Sequence, residues 1–291
     1  MSSEVISHVS TELTQIYQTH STVNLSLKYV LQLPKLANIK LNEPDSIRGT
    51  NSPYWIDWTE EIGAWVSGDG SDIQILITDD ARNMDIGELT LGFTSVVTGI
   101  CLNLQGKAAI HANSVSLNDK AVAFVGYSGR GKSTLSAYCA SRGAGFVTDD
   151  VLVVNSDGFA IPGNPRIKLY PHTAKSLGFD TSQKTKYKIF YPPEKIGAKL
   201  HHELVPMGTI YLLEVSEDNK ISSEQITASQ AVFELLFHGY DVQDFIPRNP
   251  QLLHAYTKLV EQVPVKKLFY PRDFSMLPEV YNFLLEEIHN L

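Results

Sequence analysis

The chain has 291 residues, 43% of them hydrophobic and 19% charged, and a formal net charge of −8. This is the composition of an ordinary globular protein with enough apolar residues for a real core, in one large domain or two smaller ones. The acidic balance, without a long basic run, argues against nucleic acid and an anionic membrane as electrostatic partners.

The opening Met-Ser-Ser-Glu has no basic stretch leading into an apolar one, so no secretory signal is expected. Residues 89–105, the longest nearly charge-free segment, are interrupted by Thr, Ser, Asn and Gly. They fall short of the roughly 20 apolar residues that span a bilayer. Cys101 and Cys139 form no CxxC pair. Neither a disulfide framework nor a zinc site is expected, and a cytoplasmic location fits.

Residues 1–108 read as a β-rich module. Segments 64–66 and 73–77 flank Ser67-Gly68-Asp69-Gly70, and Ile73, Ile75 and Ile77 alternate with polar residues, which predicts a hairpin with one buried face. Trp55, Trp58 and Trp65 lie close by, where their large apolar areas suit core packing. A helix should follow, with Asp85 as N-cap, a stripe of Leu89, Phe93, Val96, Val97, Ile100 and Leu104, and Gly106 at its end. Next come two strands, Ala109–Leu117 and 121–125, joined by the turn pair Asn118-Asp119. A glycine-rich loop, a helix over 132–142 and a strand over 145–154 continue the pattern. Residues 162–165 force a loop. The polar, lysine-rich 181–199, with Lys184, Lys186 and Lys188, reads as a mobile lid over the acceptor. A strand at 208–215 and helices at 228–239, 252–262 and 277–288 complete the expected elements.

The strongest chemical signal is Gly126-Tyr127-Ser128-Gly129-Arg130-Gly131-Lys132-Ser133, followed by Thr134, which satisfies G-x-x-x-x-G-K-(S/T). The strand before it delivers the chain into a loop whose glycines admit phosphate oxygens close to backbone N–H groups. The helix after it aims unsatisfied N–H groups and a positive dipole end at the same anion. Lys132 would reach the β- and γ-phosphates, and the Ser133 hydroxyl would ligate Mg²⁺. ATP and Mg²⁺ are therefore the expected cofactors. Further on, Asp149 and Asp150 interrupt an apolar strand, where unpaired carboxylates are costly. Adjacent strand residues point to opposite faces, so the two need not share a role. His111, also in an apolar run, is either a hydrogen-bonded core residue or part of the same site. His201-His202-Glu203 lacks the spacing that converges on a metal, and Tyr270-Pro271-Arg272 reads as a structural turn.

The run Ile110-His111-Ala112-Asn113-Ser114-Val115, then the 126–134 loop, then Thr148-Asp149-Asp150, resembles in order and spacing the HPr kinase/phosphorylase family and its wider relatives. Their nucleotide-binding fold is similar to that of phosphoenolpyruvate carboxykinase. Segments 162–171, 206–214 and 267–277 look like a diverged branch that includes kinases of ribosomally made peptide precursors, such as those of lasso peptides. The resemblance implies an α/β fold (α+β overall), with a P-loop kinase domain over 109–291 behind the β-rich module of 1–108, and assembly into a homo-oligomer. It implies Asp149 as the base towards a serine hydroxyl, His111 as its orienting neighbour and Asp150 near the metal. The family's Glu-(Ile/Leu)-Arg-Gly-Leu-Gly signature is replaced here by Gly163-Asn164-Pro165-Arg166-Ile167-Lys168-Leu169-Tyr170, which argues against HPr as acceptor and against the reverse reaction. Arg166 and Lys168 become candidates for neutralising phosphate charge. The expected activity is transfer of the γ-phosphate of ATP to a hydroxyl, that of a peptide or small protein or else of a small hydroxylated metabolite. A non-catalytic ATP-binding module is disfavoured by the intact Lys132, Ser133, Asp149 and Asp150.

Overall fold

The computed structural model of the chain describes residues 26–31, 54–58, 62–77, 92–183, 187–240 and 249–291. Contacts divide the chain into two units, Met1–Lys107 with Tyr240–Leu253, and Ala108–Gly239 with His254–Leu291. No described helix is long and apolar enough to cross a membrane.

In the first unit, β1 (Ser26–Leu31), β2 (Tyr54–Asp57), β3 (Ile62–Val66) and β4 (Asp72–Ile77) form a sheet in the order β1-β4-β3-β2. The expected hairpin is β3 against β4. Its turn is held by Ser67 Oγ, which accepts from the backbone N–H of Asp72 at 2.9 Å, and its buried face carries Ile73 and Ile75. Trp58 and Trp65 are partly buried, Trp58 with its ring 6.0 Å from that of the buried Phe93, in keeping with core packing. The Trp55 side chain lies outside the described residues. The following helix, α1 (Phe93–Leu104), starts after Gly92 in left-handed backbone and not at Asp85. Asp85 and Leu89 lie outside the described residues. Gly106, at φ 75, ends the helix as expected.

The second unit is built on a mixed sheet. β5 (Ala109–Leu117) and β6 (Lys120–Val125) pair antiparallel, with Ala112 opposite Val125. Asn118 and Asp119, at φ 49 and 61, make the tight turn whose twist suits a two-residue hairpin. After β6 come α2 (Lys132–Ser141), β7 (Gly145–Thr148), β8 (Val151–Val153), β9 (Phe159–Ala160), β10 (Ile167–Leu169), α3 (Pro171–Ser176), β11 (Ile189–Tyr191) and β12 (Lys199–Leu200). The chain continues through β13 (Val205–Val215), β14 (Ser222–Gln225), α4 (Ala228–Phe237), α5 (Pro250–Gln262), β15 (Val265–Tyr270) and α6 (Leu277–His289). The sheet order is β12-β7-β5-β6-β13-β15-β14, with β8 also on β5 and β9 on β13. β6, β13 and β15 run parallel and, from Ala121 to Val125, β6 is buried throughout, as a strand covered on both faces must be. The α/β expectation is met.

α2 lies between two apolar clusters. Leu135 and Cys139 join Phe124, Tyr211, Val280 and Leu284, whereas Ala137 and Ala140 join Phe146, Ile167, Leu169 and Tyr191. Two expectations change here. The single strand over 145–154 is two strands, β7 and β8, broken at Asp149 and Asp150. The supposed lid is, from residue 187 onward, part of the body. Ile189, Tyr191 and Ile196 are buried in the second cluster, and residues Pro193–Ile196 form a 3₁₀ turn. Lys184 and Lys186 lie outside the described residues.

Candidate active site

The loop between β6 and α2 needs its glycines. Gly126, Gly129 and Gly131 have φ of 152, 81 and 101, values that a Cβ disfavours. At Gly131 a Cβ would also collide with the Tyr270 phenol, whose hydroxyl donates to the carbonyl of Arg130 at 2.6 Å. No side chain caps α2, so its first N–H groups face the loop unsatisfied, as an anion requires. Lys132 is buried and donates to the Gly126 carbonyl at 2.6 Å. Burial lowers its pKa, with Lys188 acting in the same direction, against Asp150 and Asp149. Arg130 turns away and pairs with Glu214 at 3.5 Å. A phosphate fits this strand, loop and helix.

The carboxylates sit where β7 gives way to β8. Both strands pair with β5, and the chain between them bulges, with Asp150 in left-handed backbone at φ 69. A non-glycine residue held there is strained, which is common where side-chain aim matters more than regularity. Asp149 accepts from the Asn113 side-chain amide and, at 3.1 Å, from the backbone N–H of Lys168. Asp150 pairs with the Lys168 ammonium and lies 3.7 Å from His111 Nε2. The two acids therefore titrate in opposite directions. Burial raises Asp149, and the neighbouring Asp150 raises it further. Burial also pushes Asp150 up, but Lys168 and His111 outweigh it and hold this carboxyl well below the ordinary range.

His111, Ser128, Gly129, Gly131, Lys132, Ser133, Thr134 and Asp150 all line one cavity of about 390 Å³. Gly126, Arg130 and Asp149 stand outside that lining. Asn113 joins the two halves of the site, its amide 3.5 Å from Ser133 Oγ and bonded to Asp149, while its own Oδ1 is buried without a partner. For a metal the donors at hand are Ser133 Oγ and the aspartates. Asp150 holds Lys168 through Oδ2, which leaves its Oδ1, 3.7 Å from His111 Nε2, as the oxygen for a metal.

No family model matches the chain, and none of the curated proteins compared with it matches. Among solved structures, the Hpr(Ser) kinase/phosphatase from Coxiella burnetii is similar, with 14% identity over 62% of this chain and 95% of that one, at a TM-score of 0.31.

Several cavity residues escaped the sequence reading. Tyr127, Tyr170, His172 and Phe274 line it, and Tyr127 lies 5.2 Å from the His238 ring. Burial, Lys132 and His111 lower His238 to about 4. The aromatic character of these residues was visible, but the convergence of Tyr127, Tyr170, His172 and Phe274 from three separate segments was not. His201 contacts Ser116 Oγ at 2.6 Å, and no group of three or more His, Cys, Asp or Glu among the described residues is arranged to hold a metal.

Proposed function

We propose that the protein is an ATP-dependent phosphotransferase that moves the γ-phosphate to a hydroxyl. The observation that carries this is the convergence of Lys132, Ser133, Asp150 and His111 on one cavity whose loop and helix end suit phosphate. Phosphoryl transfer asks for positioning and charge neutralisation, which Lys132, the N–H groups of α2 and Lys168 supply. The bond from the γ-phosphorus to the β-phosphate oxygen breaks as the acceptor oxygen bonds to phosphorus, and the acceptor's proton passes to Asp149. The raised pKa of Asp149 suits a proton acceptor. Magnesium entering with the phosphates would be held by Ser133 and Asp150 and would neutralise developing charge. A second reading exchanges the aspartates, favoured by the position of Asp150 on the cavity wall beside His111.

We take the acceptor to be a serine of a peptide or small protein. Phe233 and Phe237, 74% and 68% exposed on α4, extend from Tyr127 at the cavity edge, with Phe237 5.8 Å from Tyr127. A small metabolite has no use for such a surface. This reading places the protein in the cytoplasm, where ATP is supplied.

Calorimetry with Mg·ATP tests the core of the proposal. Lys132→Ala is expected to abolish measurable binding, and unchanged affinity in that variant would sink the phosphate-loop assignment.

A further inference from the structure

The cavity holds more than phosphates need. Besides the loop and Asp150, it is lined by Leu135 on α2, Leu277 at the start of α6, and two exposed aromatics, Phe274 and Tyr170. Phe274 is 40% exposed and Tyr170 47%, an unusual state for large rings inside a concavity. Tyr170 lies nearly parallel to His172, their planes 14° apart, so it presents a flat wall.

Two features tie this part of the cavity to the phosphate end. The hydroxyl of Tyr270 donates to the Arg130 carbonyl, which anchors the turn leading to Phe274 directly on the phosphate loop. Asp273 then accepts from the Ser275 backbone N–H at 2.8 Å and starts the 3₁₀ turn Phe274–Met276, which fixes where the Phe274 ring stands. Leu135 is three residues past Lys132, so the cavity extends along the first turn of α2. Ser133 is instead connected through Asn113 to Asp149, which marks the reacting end. What remains of a nucleoside triphosphate once its phosphates lie in the loop is a ribose and a flat base. A compartment with exposed rings beside the loop suits that base, because stacking needs a π-face and little else.

We infer that Phe274 is the stacking platform for the nucleotide base, which lies between the 270–277 turn and the Tyr170–His172 pair. This rests on the phosphotransferase reading and adds where the base sits.

The test compares two probes on the full chain by calorimetry in the presence of Mg²⁺: ATP, and inorganic tripolyphosphate, which has the phosphates but no base. Wild type is expected to bind ATP more tightly. Phe274→Ala should weaken ATP by about 5- to 100-fold, the range for losing one stacked base, and leave tripolyphosphate unchanged. Phe274→Leu keeps an apolar side chain without the ring and should behave like the alanine variant, whereas Phe274→Trp should bind ATP as wild type does. Because Phe274 is partly exposed, these variants should melt close to wild type. Equal affinity of wild type for the two probes, equal losses of both in Phe274→Ala, or wild-type ATP binding in Phe274→Leu would each overturn the platform while the phosphate loop stands. Binding of neither probe to wild type would overturn both.

Discussion

Burial and the adjacent Asp150 raise the Asp149 carboxyl to about 7, so this acid changes charge in the range where the protein would work. If it takes the acceptor's proton, transfer should climb with pH through that value. Asp149→Asn should remove the climb and cut the rate by about 10²–10⁴, the range for losing a general base, with ATP affinity nearly intact. Stability carries the same signature with a definite sign. A carboxyl raised on folding favours the fold below its ordinary pKa, and that contribution is lost as pH rises through about 7. Melting of Asp149→Asn relative to wild type should therefore be more favourable at pH 8 than at pH 5, and a difference that ignores pH would remove the raised carboxyl from the account. That Lys132, Ser133 and Asp150 share one cavity could be expected from the sequence because each lies in a short contiguous run. The service of Asn113 to Asp149 could not, since 36 residues separate the partners. Nor was the bulge legible: alternation along a strand assumes regular backbone, and the left-handed Asp150 breaks that rule.

Among the elements, β15 does more than complete the sheet. The sequence reads Tyr270-Pro271-Arg272 as a turn, yet Tyr270 reaches across to the Arg130 carbonyl and packs against Gly131. Burial raises its phenol to about 12, so it stays a donor across the physiological range. Tyr270→Phe removes one hydrogen bond, a change of about 1 kcal/mol or roughly fivefold in an equilibrium. ATP affinity should fall by about that factor, measured by calorimetry, and should do so equally at pH 6 and pH 9. An unaltered affinity would mean the loop holds its shape without the tether. The 181–199 segment shows the opposite weakness of sequence reading. Its polar composition suggests a lid, but Ile189, Tyr191 and Ile196 suffice to anchor the later part once Ala137, Phe146 and Leu169 are there to receive them.

Across the whole molecule, Tyr240–Leu253 belongs by its contacts to the first unit, although second-unit residues flank it in sequence. Tyr240 packs on Gly99, where a Cβ would strike its ring, and its carbonyl accepts from Asn103 Nδ2 at 2.7 Å. No change of composition near residue 240 announces this return, because one glycine under one ring is a tertiary fact. A chain of residues 108–291 alone keeps every cavity residue but leaves Tyr240 uncovered. It should bind ATP and yet melt about 4–8 °C below the full chain, the shift expected for losing roughly 2 kcal/mol in a unit of this size. Equal melting would mean the Tyr240 contact adds nothing. The hairpin of β5 and β6 bears on a different kind of question, namely where foreign sequence can be accepted. Asn118 and Asp119 are exposed at its tip, the sort of position usually chosen for an epitope or for new termini. Yet this turn sets the register of β5 against β6, which places Asn113 opposite Phe124 on the strand that feeds the phosphate loop. A single added residue that slides one strand past the other by one place would carry the amide to the opposite face. The tip lies about 17 Å from Asn113 along the strand, and it behaves as a gauge block for the reacting centre, unsuited to grafting despite its exposure.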